Sequence, residues 1–167
     1  MVAPHVVIVQ PTHGIAFWHN AVITSVQGHV DADGVRGISA AYQKLHEAYP
    51  DGVVGITVLQ MSLNVGTTDT NAEAKRAMRE LSTKILHVAI VIENQGVLAQ
   101  LLRAVIRTLN SVAGSTRLSI ANDLKDAARV VAPHIKLSDA SSQKKIQQEL
   151  VEAMETLRRA LPAVDPQ

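Results

Sequence analysis

Four short β-branched apolar runs alternate along this chain with segments whose apolar residues recur at helical spacing. That alternation limits the fold more than any other feature. The runs are His5–Gln10 (HVVIVQ), Val53–Met61 (VVGITVLQM), Val88–Ile92 (VAIVI) and Leu118–Ala121 (LSIA). The centre of the chain, His87 to Ile135, reads strand, turn, long apolar-faced helix, strand, helix. Consecutive strands joined through helices need crossovers, which are right-handed, and the resulting sheet is covered by helices. Runs that are apolar at nearly every position suit a sheet buried on both faces. The expected fold is α/β: a single domain with a mixed four- to five-stranded sheet covered by helices, plus an extra C-terminal helix.

The punctuation between these runs sets the element boundaries. Pro11 closes the first strand. Ile15–His19 and Ala21–Gly28 are strand-like without clean alternation, which predicts one bent or bulged strand, antiparallel to the first. From Val30 to Tyr49 the period changes. Val35, Ile38, Ala41, Tyr42 and Leu45 fall on one helical face, with Asp31 or Asp33 as N-cap and Pro50-Asp51-Gly52 as the stop. Gly34 and Gly37 weaken the start of that helix and suit a close approach to a strand. Asn71 is the expected cap of the next helix, whose apolar face is Ala74, Ala77, Met78, Leu81 and Ile85. Asn122 or Asp123 caps the helix that runs through Val131 to Pro133. Residues 1–136 thus form the domain, and 137–143 (LSDASSQ from Leu137) read as a linker. A C-terminal amphipathic helix over 144–161 and a tail over 162–167 follow.

Composition excludes several classes of function. Aromatic residues make up 2% of the chain, so base-stacking platforms are scarce, and the net charge of +1 offers no basic field for nucleic acid. No apolar run approaches the ~20 residues that a membrane helix needs. The sequence contains no cysteine, which removes disulfides and thiolate chemistry and fits a reducing compartment. The N-terminus lacks a charged segment followed by an apolar one, and the expected location is cytoplasmic. Seven histidines show no H-x-x-x-H spacing and no H-E-x-x-H, so neither a metal nor another cofactor is expected.

Three segments carry a family resemblance. They are GIAFWHNAVITSVQGHVDADGVRGISAAYQKL from Gly14, KILHVAIVIENQGVLAQLLRAVI from Lys84, and STRLSIANDLKDAARVVAPHI from Ser115. Their order resembles the SpoIIAA-like branch of the STAS superfamily over about Ile15–Ile135, a fold also similar to CRAL-TRIO lipid-transfer domains. Phosphorylatable STAS members carry an Asp-Ser-Ser/Thr-Gly turn before the long helix. Here the corresponding turn is Glu93, Asn94, Gln95, Gly96. The acid and the glycine are echoed and the serine is missing. The resemblance therefore implies an antagonist-type fold without the kinase-addressed switch.

The candidate sites follow from these readings. The turn Glu93–Gly96 lies at the carboxyl end of a strand, where open α/β sheets bind ligands. Glu93 is the residue best placed for chemistry, yet no nucleophile or base stands beside it in the turn. Arg103 and Arg107 share a helix face and read as a solvated surface. Ile146, Leu150, Met154, Leu157 and Leu161 recur at spacings of 4, 4, 3 and 4, a stripe fit to meet another chain or its own domain. Phe17 and Trp18 are read as exposed aromatics on the N-terminal hairpin. The expected function is a non-catalytic regulatory or scaffolding module that acts through protein–protein contacts, with a protein partner or itself. A small apolar-ligand or lipid carrier of CRAL-TRIO type is the alternative. An enzyme centred on Glu93 is the remaining one.

Overall fold

The computed structural model describes residues 4–60, 68–93, 118–137 and 142–162. The strands are β1 (His5–Val9), β2 (His13–Trp18), β3 (Ala21–Val26), β4 (Val53–Leu59), β5 (Ile85–Ile92) and β6 (Leu118–Ala121). The helices are α1 (Ala32–Ala48), α2 (Thr68–Leu81), α3 (Leu124–Val131) and α4 (Gln143–Ala160). All six strands form one sheet in sequential order. Neighbours β1–β2 and β2–β3 are antiparallel, and β3 through β6 are parallel. The fold is the expected mixed α/β domain, with six strands among the described residues in place of four or five.

The additional strand comes from a turn that the sequence reading treated as a bend. Trp18 pairs with Ala21, so His19 and Asn20 form a two-residue hairpin loop. His19 takes a φ of 51°, the positive value that tight hairpin turns require. The expected single bulged strand is therefore two strands. The bulge lies instead in β1, where the register slips between Val6 and Ile8.

Short-range chemistry explains the helix boundaries. Asp31 caps α1 by accepting from Gly34 N at 2.8 Å, and Tyr49 N closes the other end on Leu45 O. Asp123 caps α3, and Ser142 caps α4. Asn71 is not the cap of α2, because that helix starts three residues earlier at Thr68. Gly52 has a φ of 120°, and a Cβ there would sit 2.6 Å from Leu86 Cγ. Only glycine makes that turn cheaply.

The sheet is covered on both faces. On one face Ile15, Val22 and Val53 meet Ala41, Tyr42 and Leu45 of α1 and Leu81 of α2. The Tyr42 hydroxyl lies where a Cβ on Gly55 would be, so this glycine lets α1 rest on β4. On the other face Ala16, Trp18, Ile23, Val54, Ile56 and Ala89 meet α3 and α4. The alanines of β2, β3, β5 and α3 let these layers come close.

Two sequence expectations are corrected by this packing. The stripe Ile146, Leu150, Met154, Leu157 and Leu161 is not an exposed interaction surface, because all five side chains are buried within their own chain. Four of them belong to the main core, so α4 packs as part of the domain, while most of the expected linker (138–141) lies outside the described residues. The physical reason is coverage. α3 has only 8 residues, and without α4 the β2–β3 half of that face would be wet. Gly14 makes room, since a Cβ there would meet Leu157 and Leu161 at 3.0 Å. Phe17 and Trp18 are likewise not exposed. Trp18 is 2% accessible under α4, and Phe17 is half-buried against the α1 face. Adjacent strand residues point to opposite faces, and here both faces are covered. No helix among the described residues is long and apolar enough to cross a membrane.

Candidate functional site

The parallel strands β3, β4 and β5 end on one rim. Ladder bonds continue one residue past each strand: Gln60 N donates to Val26 O at 2.8 Å, and Glu93 N donates to Leu59 O at 3.0 Å. These bonds fix Gln60 and Glu93 side by side at the carboxyl ends, the usual ligand position of such sheets. Gln27, also on this rim, is buried. Its Nε2 donates to Pro11 O at 3.1 Å and to Pro162 O at 2.6 Å. That clamp ties the end of α4 to the rim and brings the last helical turn over Gln60 and Glu93.

The last turn of α4 carries Arg158 and Arg159, a placement that the negative helix C-terminus favours. Arg158 Nη2 lies 3.2 Å from Glu93 Oε2, with the two side chains 36% and 26% exposed. Arg159 Nη2 lies 3.2 Å from Glu155 Oε2 and is largely exposed. Arg158 Nε is fully buried and has no hydrogen-bond acceptor among the described residues. Gln60, Glu155, Arg158 and Arg159 line an open cleft of about 310 Å³. Glu93 is thus not a lone carboxylate but half of an ion pair across the mouth of the sheet. Asn94, Gln95, Gly96, Arg103 and Arg107 lie outside the described residues.

Other described residues near the rim are committed to structure. Asp123 Oδ1 accepts from Asp126 N at 2.7 Å, and Asp126 Oδ2 accepts from the backbone and side chain of Asn122 at 3.0 Å each. The Asn122 N–H and the Arg129 guanidinium hold the Asp126 carboxyl below its usual pKa. His13 starts β2 and is buried against Thr12, with its Nδ1 3.0 Å from Thr12 Oγ1. Burial lowers its pKa, and the nearby Asp31 carboxylate only partly opposes that.

Away from the rim, His87 Nε2 lies 2.7 Å from Ser119 Oγ, and the His87 and His134 rings stack at 5.4 Å. Among the described residues no three His, Cys, Asp or Glu side chains converge as a metal site. Between α1, α2 and β5 lies an apolar cavity of about 180 Å³, lined in part by Ile38, Tyr42, Ala77, Met78, Ile85 and Val88.

Sequence reasoning singled out Glu93, and did not single out Gln60, Glu155, Arg158 or Arg159. Arg158 and Arg159 flank the apolar stripe next to Leu157. Their nearness to Glu93 depends on where α4 docks.

No protein-family model and no curated protein matches this sequence. A solved structure of an uncharacterised protein of the DUF3478 family from Shewanella loihica, described as having a SpoIIAA-like fold, aligns at 12% identity. The alignment covers 76% of this chain and 93% of the other, with a TM-score of 0.49.

Proposed function

We propose that this chain is a non-catalytic regulatory or scaffolding module, that it acts through protein–protein contacts including contacts with itself, and that the strand-end rim is its contact site. The observation that carries this reading is the open cleft at Gln60, Glu155, Arg158 and Arg159. Its walls are long polar side chains with charges of both signs, the composition of a recognition rim, and arginine is the charged residue most enriched at interfaces. The α4 stripe named from sequence is buried and has no part in this reading. A cytoplasmic setting fits a chain without cysteine.

Native mass spectrometry of gently purified full-length protein tests the proposal. The expected species is an integral homo-oligomer or a complex with a second protein. Arg158→Ala or Arg159→Ala should weaken it by about tenfold, the effect of a typical interface arginine. A monomer without partner at every concentration, in both wild type and variants, counts decisively against it.

The apolar cavity over β5 favours a second reading, a carrier of a small apolar molecule. This pocket is open to solvent, and its volume of about 180 Å³ has room for a molecule of about benzene's size. Organic extraction of native protein should then release a stoichiometric small molecule. An empty extract removes this reading.

A further inference from the structure

We propose that the cleft between Gln60 and the last turn of α4 binds a carboxylate from an acidic segment of a protein partner, which takes Arg158 over from Glu93. The inference rests on the contact-module reading and names the chemistry of the partner.

Three observations lead to it. First, the free protein neutralises the cleft internally. Arg158 faces Glu93 and Arg159 faces Glu155, each at 3.2 Å. A competing carboxylate therefore exchanges one ion pair for another, with no new charge to bury.

Second, the Arg158 fork is poorly served in its resting position. The guanidinium has five N–H donors and binds a carboxylate best through two parallel bonds. Its Nε–H is buried without an acceptor among the described residues. A carboxylate that turns the fork toward the cleft satisfies both Nε and Nη2, while Glu93, about one-quarter exposed, moves into water. Gln60 also lines the cleft, and its amide can donate to the second oxygen of the ligand.

Third, the cleft holds Glu93 and Glu155 beside its two arginines. With Glu93 displaced, Arg158, Arg159 and Glu155 leave one surplus positive charge, which one carboxylate neutralises and a phosphate dianion overshoots. The local charge therefore selects an Asp, a Glu or a chain terminus over a phosphorylated residue.

The test is a heteronuclear NMR titration of the full chain that follows the arginine Nε–H signals. The probes are a blocked Gly-Glu-Gly tripeptide, its Gly-Gln-Gly counterpart and inorganic phosphate. The Glu peptide should shift the Arg158 Nε–H signal saturably, and the Gln peptide should bind about tenfold more weakly, because it lacks the charge-assisted pair. Arg158→Lys keeps the charge but not the fork, and should lose about as much. Glu93→Gln removes the competitor and should tighten Glu-peptide binding severalfold. That variant also guards against misfolding as the cause of a loss. The proposal is overturned by no saturable shift, by undiminished binding in Arg158→Lys, or by phosphate binding more tightly than the Glu peptide. If native mass spectrometry finds a complex and the titration finds no shift, the contact module stands and this site falls. If the peptide binds and no complex forms, the site stands and the contact module falls.

Discussion

Asn20 is fully buried in the hairpin turn between β2 and β3, and its amide ties two distant segments to that turn. Nδ2 donates to Gly52 O at 3.3 Å and to His134 O at 3.0 Å, and Oδ1 accepts from Lys136 N at 2.9 Å. The side chain therefore holds the turn before β4 and the turn after α3 to the same point of the sheet. Asn20→Ala leaves buried backbone groups without partners. It should cost about 2–4 kcal/mol in urea denaturation, more than one ordinary hydrogen bond. A loss below about 0.5 kcal/mol, the scale of a neutral surface change, would mean that water replaces the amide. His13 gives a pH dependence. Its folded pKa is lowered by burial from the ordinary value of 6.5, so the folded state favours the neutral ring. That contribution is complete above about pH 6.5 and is lost as pH falls through the folded value. Stability should decline on acidification in that window, and His13→Gln should flatten the decline. An unchanged slope in the variant would assign the effect to other groups.

At the scale of elements, α4 decides the most. Leu150, Met154 and Leu157 are inaccessible to solvent, and each is worth about 1.5–3 kcal/mol of burial. Leu157→Ala should destabilise the chain by about 2–5 kcal/mol, as for other fully buried leucines. Removal of residues 144–167 should unfold the domain, not merely alter its partners, because it bares Trp18. Tryptophan emission shifted to the red in a chain that has lost its far-UV signal is the expected result. A folded truncated chain with native emission would restore α4 as an independent arm. Helical periodicity placed this helix almost to the residue: 144–161 expected, Gln143–Ala160 found. Periodicity names the buried face of a helix but not what buries it. An amphipathic stripe is equally suited to a second chain and to its own sheet. The choice fell to the sheet because Gly14 and the alanines around it leave a surface that α4 fills.

For the whole molecule, the two faces of one sheet are cores built on the same strands. Ile15 and Val22 face α1, while Ala16, Trp18 and Ile23 face α3 and α4. Neither side can lose its packing without exposing strands that the other needs. Thermal unfolding should therefore be one transition, with Trp18 fluorescence and far-UV circular dichroism coincident. Separate midpoints would indicate a C-terminal helix that melts on its own.

The β-branched runs, the change to helical period, and the caps Asp31 and Asp123 are local properties, and with them the chain determined its α/β class and most of its elements. Local signals also found Glu93 at the end of an apolar strand. Other features depended on contacts between residues far apart in sequence. Splitting β2 from β3 needed a positive φ at His19, which no glycine announced. The burial of Trp18 needed α4, which lies more than a hundred residues away. The cleft needed the Gln27 amide to hold Pro162 so that Arg158 could reach Glu93. Periodicity and propensity act within a few residues of chain, whereas docking one layer on another is set by shape and coverage over the whole sheet. The tertiary structure alone therefore decided which polar residues meet.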